Sequence, residues 1–387
     1  SDGKPLGMFP AGEVSTYKDG KLVVDKPWEE GAIKVIRKAQ VPVVPIYFHA
    51  KNSRLFYFLS KVDDTLRTAK LPSELLTQKD RVIKVRIGKP ISVNEQNEHT
   101  TIEEYSDFLR KKTYMLSNAF EKETPFLQSP NLKLPKNPKQ IATPANQDKM
   151  INEVTALRKT ESRLTHSKNY EVFFTEANKI PNILHEIGRL REITFREVGE
   201  GTNESLDLDK FDKYYHHMFL WDTDTNQIAG AYRMGLGSEI FPKHGIDGFY
   251  LQELFRFEPE LFDMMHKSIE MGRAFIIKEY QQKPMPLFLL WKGIVHLTLR
   301  YPEHKFLIGG VSISNQFSDF SKSLMIEFMK SHYYDPYVAQ YIHPKKEFKV
   351  KLKDADKDFV FNEAEADLNK FDKIIDEIEP GNLRLPV

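Results

Sequence analysis

Cysteine is absent from all 387 residues, which excludes disulfides, a thiolate nucleophile and thiolate-ligated metal, and is compatible with a reducing compartment. Net charge is nearly absent too. With 56 Lys and Arg against 55 Asp and Glu, the whole chain sets up no long-range field for nucleic acid or anionic lipid, and any such attraction must be local. No uncharged apolar run reaches the roughly 18 residues a spanning helix needs: the longest apolar stretch, Met285 to Leu299, carries Lys292 and His296. The first residues, Ser1-Asp2-Gly3-Lys4, hold neither the apolar run of a secretory signal nor an initiator methionine, as expected of a fragment. What is present, 40% apolar and 29% charged residues, is ordinary for a globular protein, and the length predicts two or three domains.

Prolines at 125, 130, 135, 138 and 144 among Asn, Gln and Lys predict a linker over 124–148, with one domain over 1–123 and another over 149–387. Before the linker, Val41-Pro42-Val43-Val44-Pro45-Ile46 reads as a buried strand, and Ile83, Val85 and Ile87 alternate as in a half-buried one. Thr101 with Glu104 makes a capping box for a helix carrying Ile102, Tyr105, Phe108 and Leu109. After the linker, a strand over 170–175 leads to a helix opened by Pro181, and 218–221 and 227–234 flank a polar turn as a hairpin. A strand over 268–277, a largely buried helix over 285–299, a strand over 306–312 and a helix over 320–329 follow. The fold class expected is α/β (α+β), without repeats. The charge-rich region from Lys345 ends in Leu383-Arg384-Leu385-Pro386-Val387 without a cap, as if cut short.

The residues that carry chemistry come as a spaced series. Leu190-Arg191 precedes Phe195, Asp209 precedes Asp212, Gly230 precedes Arg233, and Glu270-Met271-Gly272-Arg273 follows, its glycine permitting a bulge or close backbone approach. Asp209 and Asp212 suit a helix start equally well, and a half-buried Arg233 needs a carboxylate partner in a structural role as much as in a catalytic one. His217 and Asp222 have a His-x4-Asp spacing that is read as coincidence.

This order resembles the bacterial hemolysin-like N-acyltransferases that make ornithine and related aminoacyl lipids, and is similar to acyl-homoserine-lactone synthases. The resemblance implies a GNAT-like mixed sheet and transfer of a (3-hydroxy)fatty acyl group from acyl carrier protein to the amine of an amino acid or aminolipid acceptor. It implies no bound cofactor or metal. By the same resemblance Glu270 is the expected base or the partner of a water that serves as one, Asp212, Arg233 and Arg273 complete the catalytic group, and Arg191 and Asp209 bind substrate. Ser312 and Ser314, in Gly309-Gly310-Val311-Ser312-Ile313-Ser314-Asn315, are expected to hold the acyl carbonyl or pantetheine arm. Pro286 to Trp291 suits an acyl tunnel or, more simply, core. Lys278, Lys283, Lys292, Arg300 and Lys305 suit a landing patch for an acidic carrier or a solvated face.

Phe9-Pro10-Ala11-Gly12-Glu13 resembles the Phe-Pro-Glu-Gly motif of glycerolipid O-acyltransferases. Val41-Pro42-Val43-Val44-Pro45, Arg67-Thr68 and Gly88-Lys89-Pro90-Ile91 extend the similarity. That family's His-x4-Asp would stand before Phe9 and is not in this sequence, so Phe9, Pro10, Gly12 and Glu13 are expected as remnants of an O-acyltransferase half, inactive here, that in a longer parent acylates the hydroxyl of the N-acyl product. A non-catalytic lipid- or carrier-binding module is the alternative from another class. A lytic membrane protein would need a signal, spanning segment or basic amphipathic helix that this sequence does not show. The expected location is cytoplasmic or peripheral on the inner membrane face, with no nucleic-acid partner.

Overall fold

The computed structural model describes residues 5–18, 22–50, 52–59, 64–77, 82–120, 138–352 and 354–379. The expected linker lies outside them as far as residue 137, and so does the terminal run 383–387.

Along the first stretch, β1 (Thr16–Lys18) pairs antiparallel with β2 (Leu22–Val24), and α1 (Glu30–Ala39) follows. Next come β3 (Ile46–His49), α2 (Arg54–Leu59), α3 (Asp64–Thr77), β4 (Lys84–Ile87), α4 (Val93–Asn97) and α5 (Ile102–Met115). Strands β3 and β4 form a two-stranded antiparallel sheet. The capping box expected at α5 is present, with Thr101 Oγ1 accepting from the Glu104 amide and the Glu104 carboxylate from the Thr101 amide.

Two strand expectations fail here. Val41 to Pro45 makes only an isolated bridge at Val43, because Pro42 and Pro45 have no N–H to donate to a ladder, and Val41, Val44 and Ile46 are exposed. Ile83, Val85 and Ile87 do share one face, yet that face is exposed.

The second stretch runs α6 (Gln147–Leu157), β5 (Arg163–Ser167), β6 (Tyr170–Glu176), α7 (Pro181–Glu197), β7 (His216–Asp222) and β8 (Gln227–Leu236). It continues with α8 (Gly237–His244), β9 (Phe255–Phe257), α9 (Phe262–His266), β10 (Ser268–Ile276), α10 (Lys278–Gln281), α11 (Pro284–Arg300) and β11 (Phe306–Ile308). Six strands form one mixed sheet in the order β11-β10-β8-β7-β6-β5, antiparallel except for the parallel β10–β11 pair. Pro181 occupies the first turn of α7, where its missing N–H costs nothing, and the hairpin β7–β8 turns through Asn226 at φ +52°.

Strand β11 stops at Ile308 rather than running to Ser312. A Cβ on Gly309 would lie 2.6 Å from the Met271 carbonyl oxygen, so only glycine permits this approach, and the two parallel strands part beyond it. Buried Val172, Phe173, Met218, Phe219, Ile228 and Leu290 belong to the core on which α11 and α7 pack.

The last stretch contains α12 (Asp319–His332), α13 (Pro336–Ala339), β12 (Ile342–Pro344), α14 (Asp354–Ala364) and α15 (Leu368–Ile378). The chain forms two compact units. One comprises Ser1–Phe126, Phe317–His332 and Val350–Leu385, the other Leu127–Gln316 and Tyr333–Lys349 with the last two residues. This differs from the expected unbroken domain over 149–387. Helices α12, α14 and α15 belong with the first unit, where Phe328 stacks on Phe371 at 4.0 Å, Lys89 pairs with Asp376 and Lys112 with Glu377. In the second unit β12 pairs antiparallel with β9.

Candidate active site

Four charged residues of the spaced series meet inside the second unit. Arg191 projects from the buried side of α7, and both its terminal nitrogens reach the Asp212 carboxylate at 3.0–3.2 Å. Arg233, from β8, donates to Asp209 Oδ1 at 2.7 Å and Asp212 Oδ2 at 3.2 Å. Its guanidinium also lies over the rings of Phe211, Tyr215 and Tyr250 at 5.4, 5.4 and 5.0 Å. Asp209 in addition accepts from the amides of Phe211 and Asp212, opening the short turn Phe211–Lys213, which is the helix-start chemistry weighed for it.

Arg191, Arg233 and Asp212 are buried. Burial pushes the Asp212 carboxyl up, but Arg191 and Arg233 outweigh that and hold it down at about 2. It is therefore ionised at neutral pH, as two buried cations require.

Glu270 is buried at the start of β10. Its carboxylate accepts from the Tyr215 hydroxyl, from the Tyr250 amide at 3.0 Å and from the Leu251 amide at 2.7 Å. Burial raises its pKa against the pull of those donors. Tyr215, whose hydroxyl also accepts from the Tyr250 amide, is raised as well, by burial and by Glu270. Glu270 thus pins the 250–251 turn from a buried position.

Arg273, from β10, is half-buried. The β8–β10 register jumps from Gly272↔Arg233 to Phe275↔Ala231, leaving Arg273 and Ala274 opposite Tyr232 alone. Of the bulge or close approach that Gly272 would permit, the structure has a bulge, but it falls on the next two residues and Arg273 itself takes φ +50°, a left-handed conformation costly for a residue with a side chain. The guanidinium lies over Tyr250 at 5.4 Å and Phe195 at 5.9 Å, with Nη1 3.7 Å from Asp207 Oδ2.

A cleft of about 900 Å³, open solvent at its mouth included, is lined by Val198, Gly199, Glu200, Arg273 and residues 312–316. Of the expected site residues it gathers Arg273, Ser312 and Ser314. Arg191, Asp209, Asp212, Arg233 and Glu270 do not line it.

Several participants were not foreseen. Buried Asp207 has Oδ2 3.0 Å from Arg191 Nε, and burial raises its pKa beyond what Arg191 and Arg273 pull back. The acidic run Asp207-Leu208-Asp209 was its available signal. Tyr215, Tyr250 and Glu200 had none.

His217 and Asp222 do not pair. The His217 ring meets the Asp212 carbonyl at 3.0 Å and burial pushes it down to about 4, whereas Asp222 accepts from Asn169 and Tyr280 at 2.7 and 2.6 Å. In the first unit Glu13 accepts from Arg67 at 3.2 Å and pairs with Lys26 at 2.6 Å, the Lys26 contact leading in holding its pKa below the usual range. Gly12, at φ +63°, closes a turn onto the Phe9 carbonyl, and the Pro10 carbonyl accepts from the Glu29 amide. Two separated parts of the motif series thereby meet.

Comparison with known proteins fits this division. Residues 190–291 match the acetyltransferase (GNAT) domain, and residues 2–123 match a family described as acyltransferase. Both matched families are transferases of acyl groups by description. A glycine N(alpha)-acyltransferase of Bacteroides thetaiotaomicron is 30% identical over 207 residues, which are 51% of this chain and 61% of that protein. One of Phocaeicola vulgatus is 30% identical over 184 residues, 45% of this chain and 56% of that protein. A lyso-glycine lipid O-acyltransferase of Bacteroides thetaiotaomicron is 28% identical over 115 residues, 28% of this chain and 42% of that protein. The chain therefore spans 61% or less of the length of these relatives. Their names carry glycine, not ornithine. No solved structure matches the chain significantly.

Proposed function

We propose that the second unit transfers a fatty acyl group from a thioester to the amine of an amino acid, with glycine as acceptor and acyl carrier protein as donor. The observation that carries this reading is the convergence of Arg273, Ser312 and Ser314 on one open cleft where β10 and β11 part. The relatives named for glycine favour that acceptor. Glycine brings a carboxylate, and Arg273 is the cation among the described lining residues, so the two form a charge-assisted pair.

The neutral amine attacks the thioester carbonyl carbon. A C–N bond forms, the C–S bond breaks, and the thiolate leaves, taking up the proton that the nitrogen releases as the amide forms. The Ser312 and Ser314 hydroxyls supply donors to the oxyanion. Glu200, the carboxylate among the described lining residues, accepts the proton that the incoming ammonium must first lose. Glu270, Asp209, Asp212, Arg191 and Arg233 are positioning residues, holding the bulge and the 250–251 turn. Incubation with acyl carrier protein thioester and glycine, followed by mass spectrometry, should yield N-acylglycine and free thiol. Hydrolysed fatty acid alone would contradict the reading.

The match of residues 2–123 and the Glu13–Arg67 pairing favour a second reading for the first unit: within a longer parent protein that supplies the His-x4-Asp, it acylates the hydroxyl of an N-acyl product. The two transfers would then follow each other in one polypeptide.

A further inference from the structure

Helix α11 is apolar on two sides. Its inner side, Pro286, Leu289, Leu290, Gly293, Ile294 and Leu297, is buried against the sheet. At 100° per residue, Leu287, Phe288, Trp291, Val295 and Leu299 fall on the opposite side, and they are 49%, 60%, 51%, 55% and 72% exposed. The stretch read from sequence as tunnel or core is thus half core and half surface.

A helix in a globular protein ordinarily turns charge outward, and large apolar side chains lined up over about three turns on the open side mark a surface that something covers. The surroundings indicate what. Between 278 and 305 the exposed cations are Lys278, Lys283, Lys292, Arg300 and Lys305, the carboxylates are Glu279 and Glu303, and none lies between those two. Lys292 flanks the stripe, while Lys283, its ammonium 4.0 Å over the Tyr280 ring, and Arg300 stand at the two ends of the helix; an apolar stripe edged by cations, with a tryptophan near its middle, matches the boundary between acyl chains and anionic headgroups. No described helix is long and apolar enough to cross a membrane, so α11 would lie along the surface rather than enter it.

We propose that the outer face of α11 docks the protein on an anionic lipid bilayer, with Leu287, Phe288, Trp291, Val295 and Leu299 entering the interface and Lys283, Lys292 and Arg300 meeting the headgroups. The near-zero net charge of the chain makes this local cationic rim the electrostatic component of docking. Vesicle binding needs neither acyl donor nor acceptor, so it stands or falls separately from the acyl-transfer reading.

The test is sedimentation of the full chain with large unilamellar vesicles of phosphatidylcholine alone or mixed with phosphatidylglycerol, at ~0.1 M and ~0.5 M salt. Binding is expected on the mixed vesicles, weaker on neutral ones and at the higher salt, with a blue shift in tryptophan fluorescence that Trp291→Phe removes. Phe288→Ser combined with Trp291→Ser should lower partitioning about a hundredfold with an unchanged circular dichroism spectrum, since both positions are exposed. Lys292→Glu with Arg300→Glu should abolish the preference for anionic vesicles. Absence of binding to the mixed vesicles, or equal binding by the Phe288/Trp291 variant, would overturn the proposal. So would a dimer that this variant dissociates without any effect on vesicles, which would assign the face to a second copy of the chain.

Discussion

Replacing Asp212 with asparagine removes the charge that Arg191 and Arg233 share while nearly preserving shape. The carboxylate accepts three contacts from Arg191 at 3.0–3.2 Å, one from Arg233 at 3.2 Å and one from the Asp209 amide at 2.8 Å. Breaking a buried pair by deleting one partner costs about 3–5 kcal/mol, because the remaining charge stays buried without compensation. Linkage provides a separate estimate: a carboxyl held at about 2 instead of its usual 3.8 contributes roughly 2–3 kcal/mol at neutral pH. Both routes include about 3 kcal/mol, equivalent to roughly 6–12 °C in Tm for a unit of this size. Because the folded pKa is depressed, this stabilisation is fully present above the unfolded value and disappears as pH falls from near 4 toward 2. Urea unfolding followed by circular dichroism should therefore show the parent well above Asp212→Asn at pH 7, with the gap narrowing in acid. Equal midpoints at pH 7, or a gap that widens in acid, would refute the reasoning.

Glu270→Gln should behave in the opposite sense. Burial raises the Glu270 pKa, so the parent loses stability as pH rises through that raised value, a loss the amide does not share; urea midpoints of both across the acidic-to-neutral range check this. As a positioning residue, its replacement should retain amide formation within about tenfold, whereas a loss of a hundredfold or more would restore it as the base. Ser312→Ala with Ser314→Ala should lower kcat about tenfold to a hundredfold with little change in KM for glycine, read by steady-state thiol release.

Much of the local structure was legible in the residues. Pro181 opening α7, Thr101 with Glu104 capping α5, and the polar turn before β8 are short-range signals whose chemistry lies within a few residues. The hydrogen-bond partners of Glu270 were not legible, because two of the three are backbone amides of residues 250 and 251, and a backbone donor carries no residue identity. Likewise, the α11 pattern reads as apolar whether a side chain faces the sheet or open space, and only the packing of β5 to β8 decides which side is covered. The return of α12, α14 and α15 to the first unit depends on pairings such as Lys89 with Asp376, far apart in sequence. The run Val41 to Ile46 pointed the other way: its apolar residues suggested a buried strand, and Pro42 and Pro45 lack the donors to form one.

The central claim, that an amino-acid acceptor is held through its carboxylate by Arg273 in the cleft, is tested most directly by steady-state kinetics of Arg273→Ala with glycine and with glycinamide. KM for glycine should rise about tenfold to a hundredfold, the worth of a charge-assisted hydrogen-bonded pair, while KM for glycinamide stays within a factor of about three. An unchanged KM for glycine, or an equal rise for both acceptors, would contradict it.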